Sequence, residues 1–487
     1  MIKGAKPLEW GLLGLLSTYL AAMYGGVMRA TFSLPVVLMP WLLKQPGYDL
    51  YETVYIPYMP GYMWFNMAVH SLIPQPVLRV RLMMIVLVIV SLVLVFFLAR
   101  LWHGPLAGIG AAVAYAAWMP LWADRPMYME VMVGFLTLAA VAVWHQQDSD
   151  DWWQPLAAGI LVGAAVLVKQ QALAVAGSFL IWRTIGLFVE RDWKRGLTDM
   201  ALFLGGVALL PTVSISILAV QGRVEAFLYW TWTYPLNNPF ESRSVFASGV
   251  DELILIVAWL LPVGLYILLT VGQRASWRGP AILILGQVVP LLTPMFPRYG
   301  RFHLSGAVPI IALIAGGALA LILQMEKKTW QRLSLQAAGA GAVAATLGVF
   351  LLPTYYRVRL GPRVGEWSPL VEVSQQLEAQ TDITAGTRVW VLPATDPTDN
   401  FFAIHEVLPP TVWVQTYPWF QSVPGITDQV LAAIEAETPA YAVVFERWRM
   451  ELPEQMVVHL EAHYEPFATM TAPDEYGDVT FYRRIDR

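Results

Sequence analysis

Val80 to Leu101, VRLMMIVLVIVSLVLVFFLARL, is the stretch that decides the fold. Between Arg81 and Arg100 it runs from Leu82 to Ala99 without a charge, and a helix of about 20 such residues spans the roughly 30 Å hydrocarbon core of a bilayer. Its apolar residues do not alternate with polar ones, which excludes the strand pattern of an outer-membrane barrel. Similar runs recur along the chain. Apolar residues make up 57% of the 487 and charged ones only 14%, with a mean hydropathy of +0.54, far from the balance of a soluble globular chain. An α-helical polytopic membrane protein follows. Cysteine is absent, so disulfides, thiolate metal sites and cysteine nucleophiles are excluded. The net charge of −4 is evenly spread and gives no footprint for nucleic acid.

Working outward from that run, spans are expected near residues 8–28, 80–101, 104–122, 127–146, 153–168, 170–190, 198–220, 251–273, 279–296, 303–324 and 331–355, about eleven in all. The first follows Lys3 and Lys6, and its long apolar core without an A-x-A site reads as an uncleaved anchor. With the N-terminus cytoplasmic, Arg100, Arg183, Arg191, Lys194, Arg195, Arg274, Arg278, Lys327, Lys328 and Arg332 collect on the inner side, as the positive-inside rule requires. The expected organisation is a transmembrane domain over residues 1–355 and a small extracytoplasmic α/β domain over 356–487. In the latter, strand-like RVWVLP (Arg388 to Pro393), TVWVQ (Thr411 to Gln415), YAVVFE (Tyr441 to Glu446) and DVTFYRR (Asp478 to Arg484) alternate with helical SPLVEVSQQLEAQ and ITDQVLAAIEAE. No phosphate loop, paired-histidine metal motif or nucleophile elbow is read there, and His405, His459 and His463 are taken as ordinary surface or core residues. That domain is expected to cover or shape a site more than to perform chemistry.

The site is expected where charge appears against the topology. The first connection reads GYDLYETVYIPYMPGY, Gly47 to Tyr62, and sets Asp49 and Glu52 among tyrosines and prolines, a setting in which a carboxylate can gain the basicity of a general base. A solvated loop is the plain alternative. Arg29, Lys44, Arg79, Arg81, Arg125, Lys169, Arg298 and Arg301 all fall at or near outer ends of spans, where basic residues are disfavoured; snorkelling accounts for single cases, and the cluster suggests an anionic ligand such as a phosphate. In LWADRPMYMEV, Asp124 has a salt bridge with Arg125 as its plain reading, whereas Glu130 opens an apolar helix, where an acid is presumptively functional. VKQQA places Lys169 between two apolar runs, and PRYGRFHLSG brings Arg298, Tyr299, Arg301 and His303 together. The aromatic, amide-rich Tyr229 to Phe246 suits sugar stacking and an interfacial belt equally.

Taken together, GxDLYExV followed by PYMPGYMW, the acid near the third and fourth spans, the KQQ turn and PRYGRFHLSGAVP resemble the GT-C glycosyltransferases, on the branch similar to protein O-mannosyltransferases and aminoarabinose transferases. The resemblance covers the membrane part. It departs from the family pattern of tyrosine, basic residue and aspartate, because LYET puts Glu52 at the aspartate position, and a single proline precedes Gly61 where a pair is usual; the base is therefore either Asp49 or Glu52. The resemblance implies transfer of a hexosyl or pentosyl group from a polyprenyl-phosphate donor to a glycan, lipid or protein acceptor outside the cytoplasmic membrane, with inversion. It implies Lys169, Arg298, Arg301 and His303 at the donor phosphate, and Asp124, Glu130, Tyr51 and Tyr58 at the substrates. A divalent cation, Mg or Mn, held by Asp49, Glu52 and Glu130 is left open. The competing readings are a lipid-linked glycan flippase or transporter, for which no repeated halves are seen, and a glycan ligase or polymerase.

Overall fold

The computed structural model describes residues 6–27, 37–123, 129–144, 151–237, 249–271, 278–295, 299–324, 368–394, 398–414, 423–472 and 477–485. Helices α1 (Pro7–Ala22), α2 (Leu38–Leu42), α3 (Pro60–Leu72), α4 (Pro76–His103), α5 (Pro105–Trp122), α6 (Met129–Trp144) and α7 (Trp153–Val168) are followed by α8 (Leu173–Glu190), α9 (Trp193–Val220), α10 (Val224–Leu228), α11 (Tyr234–Asn237), α12 (Val250–Val271), α13 (Arg278–Leu292) and α14 (Val308–Gln324). Prolines at the first turn of α1, α3, α4 and α5 fix where these helices begin, since that position needs no backbone donor. Each of the first ten expected spans carries helix over its described residues, and the eleventh, 331–355, lies outside them. Among the described residues six segments are long and apolar enough to cross a membrane, and α6, α7 and the Ala281–Leu292 part of α13 are shorter apolar helices. Helices α2 and α3, inside the first connection, were not anticipated. The chain is a multi-pass membrane protein.

Polarity orders the bundle. Arg301–Gln324, which contains α14, is 89% buried, whereas Val250–Thr270 in α12 is 22% buried and turns Ile254, Val257, Leu261 and Leu268 outward. A helix apolar all round sits centrally, and one with an exposed apolar face meets lipid. Helices α1 and α4 run antiparallel and are tied at both ends: Arg100 Nε donates to Glu9 at 3.1 Å, and Arg81 donates to the Tyr24 carbonyl at 3.0 Å. The first connection therefore lies at the end of the bundle opposite Arg100.

The C-terminal part holds helices α15 (Ser368–Gln380), α16 (Phe401–His405), α17 (Ile426–Glu437) and α18 (Glu454–His463), and strands β1 (Val389–Leu392), β2 (Tyr441–Phe445), β3 (Tyr464–Ala472) and β4 (Gly477–Arg484). The sheet order is β1-β2-β4-β3, with β1 and β2 parallel and the other pairs antiparallel. Strand side chains alternate between faces. Trp390, Leu392, Ala442 and Val444 pack with Ile426, Val430, Met456 and Leu460 of α17 and α18, while Val389, Val391, Val443 and Phe445 join the main core. Three of the four expected strands are present. Thr411 to Val414 is irregular instead, because it follows Pro409 and Pro410 and its side chains serve a contact described below. The strand not foreseen, β3, is an edge strand carrying Pro466 beside an irregularity between Pro466 and Ala468, which is where sheets accept proline. The expected boundary near 355 lies outside the described residues.

Candidate active site

The first connection is a tight loop closed on itself. The amides of Thr53 and Val54 donate to the Asp49 carbonyl at 3.0 and 2.9 Å, the Tyr51 amide donates to the Val54 carbonyl at 2.9 Å, and the Asp49 amide donates to Thr53 Oγ1 at 2.6 Å. Tyr51 closes it at φ +71, a left-handed conformation that is strained for a residue with a Cβ. The strain is held by packing, since Tyr51 is 1% exposed, lies edge-on to Phe227 at 5.3 Å and donates its hydroxyl to the Tyr58 carbonyl at 2.7 Å. Expected at the substrate, Tyr51 is instead a buried brace for the loop, bonded to the backbone of Tyr58. Asp49 and Glu52 stand out from the loop, about half exposed, and both face Arg223, at 2.6 Å from Asp49 Oδ1 and 3.6 Å from Glu52 Oε2. Arg223 lies just beyond α9 and was not singled out in the sequence. Its signal there was weak, one arginine before the aromatic Tyr229 to Phe246 segment.

A second cluster lies inside the bundle. Glu130, in the first turn of α6, and Lys169, which ends α7 in an extended conformation, form a buried ion pair, and His303 Nδ1 lies 2.6 Å from the same Glu130 oxygen and 3.5 Å from Lys169 Nζ. Three sequence-distant elements thus meet on one carboxylate. A bare charge at this depth would cost several kcal/mol, roughly, so each partner requires the others. The approach depends on missing side chains: a Cβ on Gly134 would sit 2.3 Å from the Gly306 carbonyl oxygen, and one on Gly306 would sit 2.7 Å from that of Glu130. Backbone contact between α6 and the 3-10 turn Arg301–Ala307 is what carries His303 to Glu130. Sequence reasoning separated Glu130 and Lys169 into substrate and phosphate roles, whereas the structure makes them one unit.

The KQQ turn links the two clusters. Gln170, next to Lys169, donates through Nε2 to the carbonyls of Pro57 in the first connection and Thr231 before α11, at 3.2 and 3.3 Å. Gly61 lies so close to α7 that a Cβ would meet Leu167 at 2.6 Å, which seats α3 at the end of the helix that presents Lys169. Around Glu130 and Lys169 a small pocket is lined by these two charges, Gln171, Val133, Val175, Pro290, Leu291 and Pro294.

The remaining cations divide. Arg301 grips Glu252 of α12 with both arms of its guanidinium, Nε at 3.1 Å from Oε1, and Tyr299 donates to the same carboxylate at 2.5 Å. Burial, then the hydrogen bond to Glu252, raises the Tyr299 hydroxyl above its ordinary pKa, so Tyr299 acts as a donor. Glu252 was missed in the sequence because Asp251 and Glu252 at a helix start read as an ordinary first turn. Arg79, fully buried, contacts His70 and donates to the Ile73 carbonyl at 3.2 Å, and Arg81 serves Tyr24, so both are engaged by the fold. Burial, then Arg79 and Lys44, pushes His70 down to about 4. Asp124 and Arg298 lie outside the described residues. Among those described, the oxygens of Asp49, Glu52 and Glu130 do not converge within 4.8 Å on one ion-sized point.

The C-terminal part reaches this region through Pro409 to Val414. Tyr48 donates to the Pro409 carbonyl at 3.3 Å, Tyr55 stacks on Trp413 with centroids 4.0 Å apart, and Trp230 lies edge-on to Trp413 at 5.7 Å. Trp413 Nε1 donates to Gln429 at 2.8 Å, fixing the ring. A small pocket opens beside it, lined by Met39, Leu42, Val54, Tyr55, Val412, Trp413 and Val414.

Comparison with known proteins agrees with this architecture. Residues 57–218, a third of the chain, match the family model described as dolichyl-phosphate-mannose-protein mannosyltransferase. The fold is similar to that of ArnT from Cupriavidus metallidurans, solved with undecaprenyl phosphate bound, at 14% identity and a TM-score of 0.64 over 98% of both chains. It is also similar to the oligosaccharyltransferase AglB of Archaeoglobus fulgidus, in complex with an inhibitory peptide and dolichol-phosphate, at 12% identity and a TM-score of 0.53 over 99% of this chain and 74% of that one. The arabinofuranosyltransferase AftD from Mycobacteria aligns at 14% identity and a TM-score of 0.53, over 99% of this chain and 42% of the other. No curated protein sequence matches the chain. All three structures are GT-C glycosyltransferases, and the resemblance read from the motifs holds at the level of the fold.

Proposed function

We propose that this chain is a glycosyltransferase of the cytoplasmic membrane that moves a hexosyl or pentosyl group from a polyprenyl-phosphate donor to an acceptor hydroxyl at the extracytoplasmic face, with inversion. The observation that carries the reading is the buried cluster of Glu130, Lys169 and His303, which stands beside a small pocket walled by Val133, Val175, Pro290, Leu291 and Pro294, so that cationic donors and apolar side chains meet as a phosphate-capped isoprenoid requires. The lipid carriers bound to ArnT and AglB, and the mannosyltransferase family match, support the same donor class.

In the reaction, Asp49 or Glu52 takes the proton of the acceptor hydroxyl as its oxygen attacks the anomeric carbon. The bond from that carbon to the phosphate oxygen breaks on the opposite side, and the electron pair leaves with the lipid phosphate. Such a leaving group needs charge stabilisation more than a proton. Lys169 and His303 supply it from one side, with Arg301 and Arg298 completing the cationic set, and Glu130 holds Lys169 and His303 in place before the donor arrives. Arg223 sets the distance between the two first-loop acids. A divalent cation, Mg²⁺ or Mn²⁺, would have to compete with the Arg223 guanidinium for Asp49 and Glu52. The cytoplasmic N-terminus and the outer position of this face rest on the basic residues at the Arg100 end.

Purified protein given radiolabelled polyprenyl-phosphate sugars and an acceptor extract is the test. Label is expected to pass to the acceptor, and to stop in the Asp49→Asn, Glu52→Gln double variant. Full transfer in that variant removes the two acids from the chemistry, and net sugar-lipid movement across liposomes without transfer makes the chain a flippase.

A further inference from the structure

Outside the membrane part, helix α18 carries His459 and His463 four residues apart, on one face and one above the other. Glu435 of α17 faces both. Its Oε1 lies 3.5 Å from His459 Nδ1 and 3.6 Å from His463 Nε2, and the three donor atoms all fall within 4.8 Å of one another. Those are the separations of ligands on a single small cation: with metal–nitrogen and metal–oxygen bonds of about 2.0–2.2 Å, tetrahedral ligand atoms stand roughly 3.4 Å apart. The other oxygen, Oε2, accepts from the buried Arg484 at 3.2 Å, and Arg484 also lies over the Tyr464 ring. Arg484 thereby turns Oε1 toward the two imidazoles, as an outer partner does for a metal-bound carboxylate. Trp390 packs edge-on against His459 and limits its ring.

We propose that Glu435, His459 and His463 form a site for a divalent transition-metal ion of the Zn²⁺ class. Two imidazole nitrogens and one carboxylate oxygen suit Zn²⁺, and argue against Mg²⁺ and Ca²⁺, which take oxygen sets. Three protein ligands leave a fourth position, and Glu435 and His463 reach the surface, so water completes the coordination. The ion would join α17 to α18, and through Arg484 to the end of β4. Its role is to hold that layer. This site is independent of the glycosyltransferase reading.

The test uses the full-length chain in detergent, stripped with chelator and dialysed against Zn²⁺ alone, with bound metal measured by elemental analysis. The wild type is expected to hold one equivalent more than the His459→Ala, His463→Ala double variant, and Glu435→Gln to bind at least about 10-fold more weakly. Loaded with Co²⁺ instead, the wild type is expected to show the visible ligand-field absorption of a tetrahedral site. His463→Gln, at a half-exposed position, guards against loss of fold: added Zn²⁺ raises the unfolding midpoint of the wild type and leaves that of His463→Gln unmoved. Equal metal content in wild type and double variant, or an unfolding midpoint indifferent to Zn²⁺, reduces the cluster to a histidine–glutamate contact and overturns the proposal.

Discussion

Replacing Lys169 with methionine tests whether the buried Glu130 unit is both a structural and a chemical device. Lys169 and Glu130 are 4% and 3% exposed, so the substitution leaves a carboxylate in the bundle with only His303 beside it. Breaking a buried pair from one side costs about 3–5 kcal/mol. Glu130→Gln leaves the lysine stranded and should cost a similar amount. Removing both charges together leaves nothing unpaired, so the double variant is expected to be less unfolded than the sum of the singles by about 1–3 kcal/mol, the coupling found between residues in contact. Transfer behaves differently. If Lys169 stabilises the leaving phosphate, the double variant regains stability and still transfers at least about 100-fold more slowly, the scale of losing one well-placed charge donor. Denaturant unfolding in detergent supplies the first reading and the radiolabel assay the second. Additive losses of stability would refute the pairing, and a stable double variant with full transfer would refute the role at phosphate.

Four further outcomes follow from the geometry. Gly306→Ala presses a methyl against the Glu130 carbonyl and is expected to cost about 1–3 kcal/mol by overpacking, with transfer lost in step as His303 is pushed from Glu130. Arg223→Met breaks a partly buried contact to two half-exposed acids, so unfolding should move by about 1–3 kcal/mol while kcat/KM drops at least about 10-fold. Added Mn²⁺ should lower wild-type transfer by competing with Arg223, and activation by Mn²⁺ would make the ion part of the site. His405 of α16 is held down to about 4 by burial, below its ordinary 6.5: above 6.5 neither state binds the proton, and from there down to about 4 the unfolded chain takes it and the folded one refuses. Stability should therefore decline on acidification through that window, by about 1.4 kcal/mol per pH unit, and His405→Gln should flatten the slope in an unfolding series.

Much of this fold was legible because its signals are local. A bilayer demands uninterrupted apolar length, and runs such as Leu82 to Ala99 state it without reference to any other residue. The same locality explains Val389 to Leu392 and Tyr441 to Phe445, strands buried on both faces and so apolar throughout. Where recognition needs a partner far along the chain, the sequence is silent. Glu252 looks like helix-start decoration until Arg301 and Tyr299 arrive from about fifty residues away, and Arg223 acquires meaning only when the first connection folds onto it. Glu130, Lys169 and His303 each stood out singly, as charges in apolar surroundings; that they share one carboxylate depends on Gly134 and Gly306 allowing two backbones to touch. His459 and His463 carried a readable helical spacing, but their third partner, Glu435, sits on another helix.

The arrangement of the C-terminal part gives the first connection a mechanical logic. Asp49 and Glu52 occupy a loop whose Tyr51 is strained, and such a loop stays put only if its surroundings determine it. Five contacts do so from three directions: Phe227 and Arg223 after α9, Gln170 from the KQQ turn, and Tyr48 with Tyr55 against Pro409 and Trp413. The last contact requires the 411–414 segment to be irregular, since a strand there would commit its backbone to a neighbour and point alternate side chains away from Tyr55. Trp413 is therefore tied to α17 through Gln429 and presented to the loop as a fixed stacking surface. Loosening Trp413 is therefore expected to let the loop relieve Tyr51, and Asp49 and Glu52 to lose their common orientation toward Arg223.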